Sequence, residues 1–158
     1  MTTSMILCLA FAIGVIAGLR ALTPAAVVCW AAHLGWINLH GSHLAVLGST
    51  VTVVIVTILA IAELINDKLP ATPSRTTPVP LGVRIVTGAI CGMALSIAGV
   101  QGIPLGLVAG IVGALAGTFG GYQVRHQIVT QLKVKDIVVA LTEDLIAIGG
   151  ALLIVTRF

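Results

Sequence analysis

Glu143 and Asp144 stand side by side in a run that is otherwise apolar from Ile137 to Val155. Counted as helix from Lys135, eight residues rise roughly 12 Å, which sets Glu143 well inside a hydrocarbon layer about 30 Å thick. An ionisable group at that depth needs a partner or a task. Neighbours on a helix diverge by about 100°, so the two carboxylates do not share a face. Two readings stand: a structural ion pair with an arginine, or an ion, proton or substrate site. Arg20 is the matching cation. It is the only charge in its apolar segment and lies roughly 22 Å along a helix from Met5, just before Leu22-Thr23-Pro24. Arginine favours carboxylate or phosphate partners held bidentately, so Glu143 or Asp144 is the natural internal partner and an anionic solute the functional one.

Glu63 and Asp67 are four apart and share a helix face. Asp67, beside Lys68, suits an interfacial charge, and Glu63 lies one turn deeper. Ser74, Arg75, Thr76 and Thr77 sit between prolines just ahead of a helix start that carries Arg84. Hydroxyls, guanidinium groups and free backbone donors together suit an anion, and equally a stiff loop resting on anionic lipid headgroups. Arg125 follows Gly120-Gly121. His33, His40, His43 and His126 lack ligand spacing, so no metal or cofactor is expected. No phosphate-binding P-loop, zinc-protease helix or GxSxG motif is present, and enzymatic function is not expected. Cys8, Cys29 and Cys91 read as small buried apolar residues.

The elements that must position these residues follow from the spacing of charge. Of 158 residues 58% are hydrophobic and only 8% charged, against about a quarter in soluble domains, and the mean hydropathy is +1.17. Most charges fall between Glu63 and Arg84 or between Arg125 and Asp144. The stretches between are long enough to cross a bilayer, where a span needs about 20 residues. The expected fold is an all-α polytopic transmembrane bundle, one domain of about five spans: 5–34 with a break near 21–24, 44–65, 81–100, 104–121 and 137–155. Val, Ile and Thr enrich the second span, yet in lipid only helices or closed barrels satisfy the backbone. Pro24 interrupts the first span and Gly120-Gly121 the fourth. Four prolines between Pro70 and Pro80 make that connection stiff and extended. Trp30 and Trp36 suit an interfacial anchor.

Lys68, Arg75 and Arg84 flank the second-to-third connection, and Arg125, Lys133 and Lys135 the fourth-to-fifth. With five spans both connections lie on one side, which the positive-inside rule makes cytoplasmic, giving a cytoplasmic N-terminus. A net charge of +3 is too small and dispersed to suggest nucleic acid. Ala109, Gly113, Gly117 and Gly121 repeat every four residues, as do Gly88, Gly92 and Ser96. Such rows let helices approach closely, within a bundle or between copies, and a homo-oligomer is expected. Residues 12–18 (AIGVIAG) match residues 111–117 (IVGALAG) at several positions, and both lead into a disrupted region with an arginine nearby. With one span between them the second copy is inverted, as in many secondary transporters.

Residues 18–24 (GLRALTP), Glu63 with Asp67 to Pro70, and Pro73 to Thr76 carry a likeness. The chain resembles the small bacterial integral membrane proteins grouped as domain of unknown function 4126, over most of its length. That resemblance implies a bacterial inner-membrane protein and supplies no assigned function. The residues point to a small transporter or channel for an ion or an anionic, possibly phosphate-bearing, solute. Its site lies among Arg20, Thr23, Glu63, Arg125, Glu143 and Asp144, with Asp67, Ser74, Arg75, Thr76 and Arg84 alongside and membrane lipid around it. The alternative is a non-transporting scaffold held by small-residue packing and charge pairs.

Overall fold

The computed structural model describes residues 1–67, 75–131 and 136–158. Ser74, Lys68, Lys133 and Lys135, singled out above, lie outside the described residues. Those residues form six helices and no strand: α1 (Thr3–Leu19), α2 (Leu22–His33), α3 (Thr50–Asn66), α4 (Pro78–Ala98), α5 (Ile103–Gln131) and α6 (Asp136–Val155). A 3-10 turn, Ala45–Gly48, precedes α3. Helices α4, α5 and α6 are long and apolar enough to cross a membrane, and α1, α2 and α3 are shorter apolar helices. Large apolar side chains such as Val51, Ile58, Leu145 and Leu153 face outward. An apolar exterior on this scale is what a lipid environment, not water, selects. The protein has the build of a helical membrane bundle.

Local chemistry sets most boundaries. Thr2 caps α1 through Met5 N, and Ser49 caps α3 through Thr52 N at 3.2 Å. The cap at Ser49 starts α3 six residues later than the apolar run begins. Pro78 and Pro80 lie in the first turn of α4, where no intrahelical donor is lost, so the helix starts three residues earlier than expected. Gly35, at φ +76°, closes α2: Trp36 N reaches back to Ala31 O at 2.8 Å, a turn that favours glycine.

Two expectations need correction. Helix α5 runs unbroken through Gly120-Gly121 to Gln131. Unlike proline, glycine keeps both backbone groups and weakens a helix by only about 1 kcal/mol, and an apolar setting makes those bonds obligatory. The stretch 5–34 is not one interrupted span. At Arg20 the backbone turns extended (φ −138°, ψ 113°) and α2 departs back along the bundle. Glu63 of α3 meets Ala21 and Leu22, Trp30 meets Thr57, and His33 meets Gly48, so α2 and α3 are antiparallel. Asp67, at the end of α3, pairs with Arg20, at the end of α1. The chain therefore reverses at Arg20-Ala21. The ends of α1, α3 and α5 and the starts of α2, α4 and α6 gather at one end, here called the arginine end, and both termini lie at the other.

Helix α5 is the hub. A side chain added at Gly14 or Gly18 of α1 would run into the backbone of Gly110, Ala114 and Gly117. One at Gly88 or Gly92 of α4 would strike Gly110 or Gly106. Pairing Gly14 with Gly110 and Gly18 with Gly117 makes α1 parallel to α5. The matched heptapeptides thus run in the same direction, and the inverted relation expected for them does not hold. The hidden reversal adds one change of direction between them. The small-residue rows are used inside one chain. A core of Ile13, Val28, Cys91, Leu95, Ala147 and Val155 fills the middle. Cys29 and Cys91 are buried, whereas Cys8 lies exposed on the outer face of α1.

Candidate functional site

All five acidic residues of the chain and four of its five arginines meet at the arginine end. Each reaches it because a helix starts or stops there. Arg20, wholly buried, occupies the reversal between α1 and α2. Its Nε donates to Asp144 Oδ1 at 2.6 Å, and its Nη1 donates to Asp67 Oδ2. Of the two internal partners foreseen for Arg20, the structure selects Asp144. Arg84, in the second turn of α4, spans the same gap. Its Nη1 donates to Gly18 O at 2.7 Å and Leu19 O at 3.0 Å, two of the last carbonyls of α1, and its Nη2 lies 3.9 Å from Asp67. A guanidinium thus satisfies carbonyls that the end of a helix leaves without partners.

Glu63 does the converse for α2. Its two oxygens accept from Ala21 N and Leu22 N, each at 2.8 Å, capping the helix start from a neighbouring helix. This explains its depth without a ligand. Glu143 holds the other half of the cluster. Arg75 grips it bidentately, at 3.2 and 2.8 Å, and Arg125 Nη1 reaches the same Oε2 at 3.2 Å. Arg125 also pairs bidentately with Asp136, at 2.9 and 2.7 Å. So Glu143 and Asp144, diverging on α6, serve two different arginine sets, and both are buried. Thr76 is half-buried in the turn before α4.

Three participants escaped the sequence reading. Asp136 has a signal, being an acid at the first position of α6. Thr118 has none: its hydroxyl donates to Ala114 O at 2.8 Å and lies 3.3 Å from Gly18 O. Gly121 is a close-approach position rather than a break, since a Cβ there would run into Leu19 Cδ2 and lie 3.1 Å from Arg75 Nη1.

Some donors are left over. Among the described residues Arg20 Nη2, Arg84 Nε and Thr23 Oγ1 are buried without a hydrogen-bond partner. For Thr23 the reason is local: the residue four back, whose carbonyl a helical threonine would use, is Leu19, which lies outside α2 and already accepts from Arg84. A cleft of about 230 Å³ opens here between the end of α3 and the start of α4, lined by Ala21, Glu63, Asn66, Asp67, Val83 and Arg84 among others. No group of three or more His, Cys, Asp or Glu among the described residues is placed to hold a metal ion.

No curated protein and no solved structure matches this chain. One family model does, described as Domain of unknown function (DUF4126), over residues 7–157. That match covers nearly the whole chain, from the second turn of α1 to the residue before the C-terminus, and takes in every charged residue of the cluster, so the protein belongs to the DUF4126 family.

Proposed function

We propose that this chain is a small transporter or channel of the bacterial inner membrane for an anionic solute, with its site at the arginine end. One observation carries the reading: the adjoining ends of three pairs of helices bring four arginines and five carboxylates to one end of an apolar bundle, with Arg20 wholly buried. Five of the nine, Arg20, Arg75, Arg84, Glu143 and Asp144, are buried, and burying that many for stability alone is a poor exchange, because apolar packing of equal volume does as well or better. Intramembrane charge is more often kept for passage of charge. A solute anion would compete with Asp67, Asp144 or Glu143 for the guanidinium groups, and a displaced carboxylate can take up a proton.

The test is flux in proteoliposomes against a panel of anions and cations, with Glu143→Gln alongside. Selective anion flux that falls at least tenfold in a monodisperse Glu143→Gln protein is the expected result. Absence of flux in well-folded wild-type protein would overturn the reading. It would favour the scaffold alternative, which is supported by the internal pairing of most of the cluster. Self-association, if it occurs, must use the apolar outer faces, since the glycine rows are occupied within the chain.

Orientation belongs to the same reading. The helix reversal puts Arg20, Arg75, Arg84 and Arg125 at the end opposite both termini. The positive-inside rule then makes that end cytoplasmic and both termini external. This replaces the cytoplasmic N-terminus derived from five spans. Periplasm-active reporters fused to either terminus are expected to be active, and cytoplasm-active reporters silent. The reverse pattern at the N-terminus would restore the five-span topology.

A further inference from the structure

We propose that an apolar groove on α2 and α3 and the charged cleft between α3 and α4 form one site for a zwitterionic, amine-bearing phospholipid of the phosphatidylethanolamine type. The inference goes beyond the transport reading and stands whether the chain transports or scaffolds. The groove, about 590 Å³, is walled by Leu22, Leu59, Ala62 and Ile65. It shares Glu63 and Asn66 with the cleft of about 230 Å³, whose other charged walls are Asp67 and Arg84. One surface thus runs from apolar to charged, the profile of an amphiphile. Leu59, Ala62 and Ile65 are exposed, and in a bilayer such side chains meet acyl chains. Helix α3, 17 residues long, spans about 25 Å, most of a hydrocarbon layer about 30 Å thick. The cleft lies at its end, where hydrocarbon gives way to headgroups.

The headgroup is chosen by charge. Both signs line the cleft, and atoms of each remain for a ligand. Both arginine contacts of Asp67 fall on Oδ2, which leaves Oδ1 as an acceptor. Each oxygen of Glu63 accepts one backbone N–H, and a carboxylate offers about four acceptor sites, so it can take more. Arg84 Nη2 lies 3.9 Å from Asp67, beyond hydrogen-bond reach, and keeps a donor for an oxygen. An ammonium on the carboxylates and a phosphate oxygen on Arg84 use all three charged walls. An anion alone would face two carboxylates. A cation alone would face Arg84, with Arg20 behind Asp67. A zwitterion adds no net charge to a cluster whose charges are already paired. The 3.9 Å between opposite charges suits a headgroup whose amine and phosphate are joined by a short ethylene link. A quaternary ammonium has no N–H to give the carboxylates, which sets phosphatidylcholine apart.

The experiment is native mass spectrometry of the purified protein, with phosphatidylethanolamine, phosphatidylcholine and phosphatidylglycerol of identical chains added in turn. Wild type is expected to retain phosphatidylethanolamine about tenfold better than the other two. Asp67→Asn, which keeps shape and removes the charge, is expected to erase that preference. Ala62→Trp, which fills the exposed groove and leaves the charged cluster untouched, is expected to lower retention of phosphatidylethanolamine. Val51→Trp, equally exposed at the far end of α3, is expected to leave it unchanged. Each variant is first shown to melt cooperatively, and should Asp67→Asn not fold, Ala62→Trp carries the test. Equal retention of the three lipids by wild type overturns the site. Preference for phosphatidylglycerol overturns the amine assignment. A phosphatidylethanolamine preference that survives in Ala62→Trp or in folded Asp67→Asn overturns the placement. None of these outcomes reads flux, so the transport reading stands or falls separately.

Discussion

Gly110→Val is expected to eliminate the folded protein. Gly110 of α5 is pressed on both sides: its own Cβ would overlap the Gly88 carbonyl of α4, and the Gly14 position of α1 already abuts its backbone. Backbones have no rotamer to change, so a side chain there must push whole helices apart. Overpacking of a core costs about 1–3 kcal/mol where side chains give way. Here two helix interfaces open together, and the loss should exceed that range. Helix association in lipid depends on such close contact, because lipid tails offer no hydrophobic penalty to drive helices together. Size-exclusion profiles and melting in detergent measure the effect. The control is Gly120→Ala, where a Cβ meets nothing within 4 Å. It is expected to fold as well as wild type or better, by up to about 1 kcal/mol of helix propensity. A folded Gly110→Val protein with wild-type melting would refute the packing of α5 between α1 and α4.

Arg20→Met comes next in size. The side chain is wholly buried and holds Asp144 and Asp67 at once. Methionine fills much of the volume but leaves two carboxylates short of a partner. Removing one member of a buried ion pair typically destabilises by about 3–5 kcal/mol. Asp144, with its side chain 10% exposed against 17% for Asp67, is the more deeply buried carboxylate and should account for most of the loss. Adding Asp144→Asn is therefore expected to recover a large part of it, a coupling that a double-mutant cycle reads directly. Arg157→Met, by contrast, alters the one arginine away from the cluster and should shift stability by less than about 0.5 kcal/mol. Wild-type melting of the Arg20→Met protein, or no recovery in the double variant, would show that the buried pair contributes no stability. The flux assay separates stability from function, since a variant rescued in stability still lacks the guanidinium that the solute would need.

Sequence alone pointed to an all-helical membrane protein, because in lipid only helices and closed barrels leave no backbone unpaired, and these apolar stretches suit a helix span of about 20 residues rather than a barrel strand of about 10. It also picked out charged residues that the fold brings together, since a charge in an apolar run is conspicuous whatever the fold. Arg20, Arg75, Arg84, Arg125, Glu63, Asp67, Glu143 and Asp144 all lie in one cluster. Pairing was not legible: which carboxylate meets which arginine depends on how helices turn about their axes, and that is set by packing. Hence Asp144 rather than Glu143 holds Arg20. The glycines were equally ambiguous. A small residue in a helix marks close approach but not the partner, so rows that suited self-association lie within one chain, and Gly121 lets Leu19 and Arg75 come close instead of breaking a helix. The direction of the chain was least visible. Whether a break in an apolar run is a kink or a reversal is decided by what the second piece packs against. Here Glu63 caps the start of α2 and Thr57 binds Trp30, which draws α2 back along α3 and places both termini opposite the charges. Composition chose the solvent and the charged residues, and contacts made only in the folded bundle chose their partners and the end of the bundle at which the cluster lies.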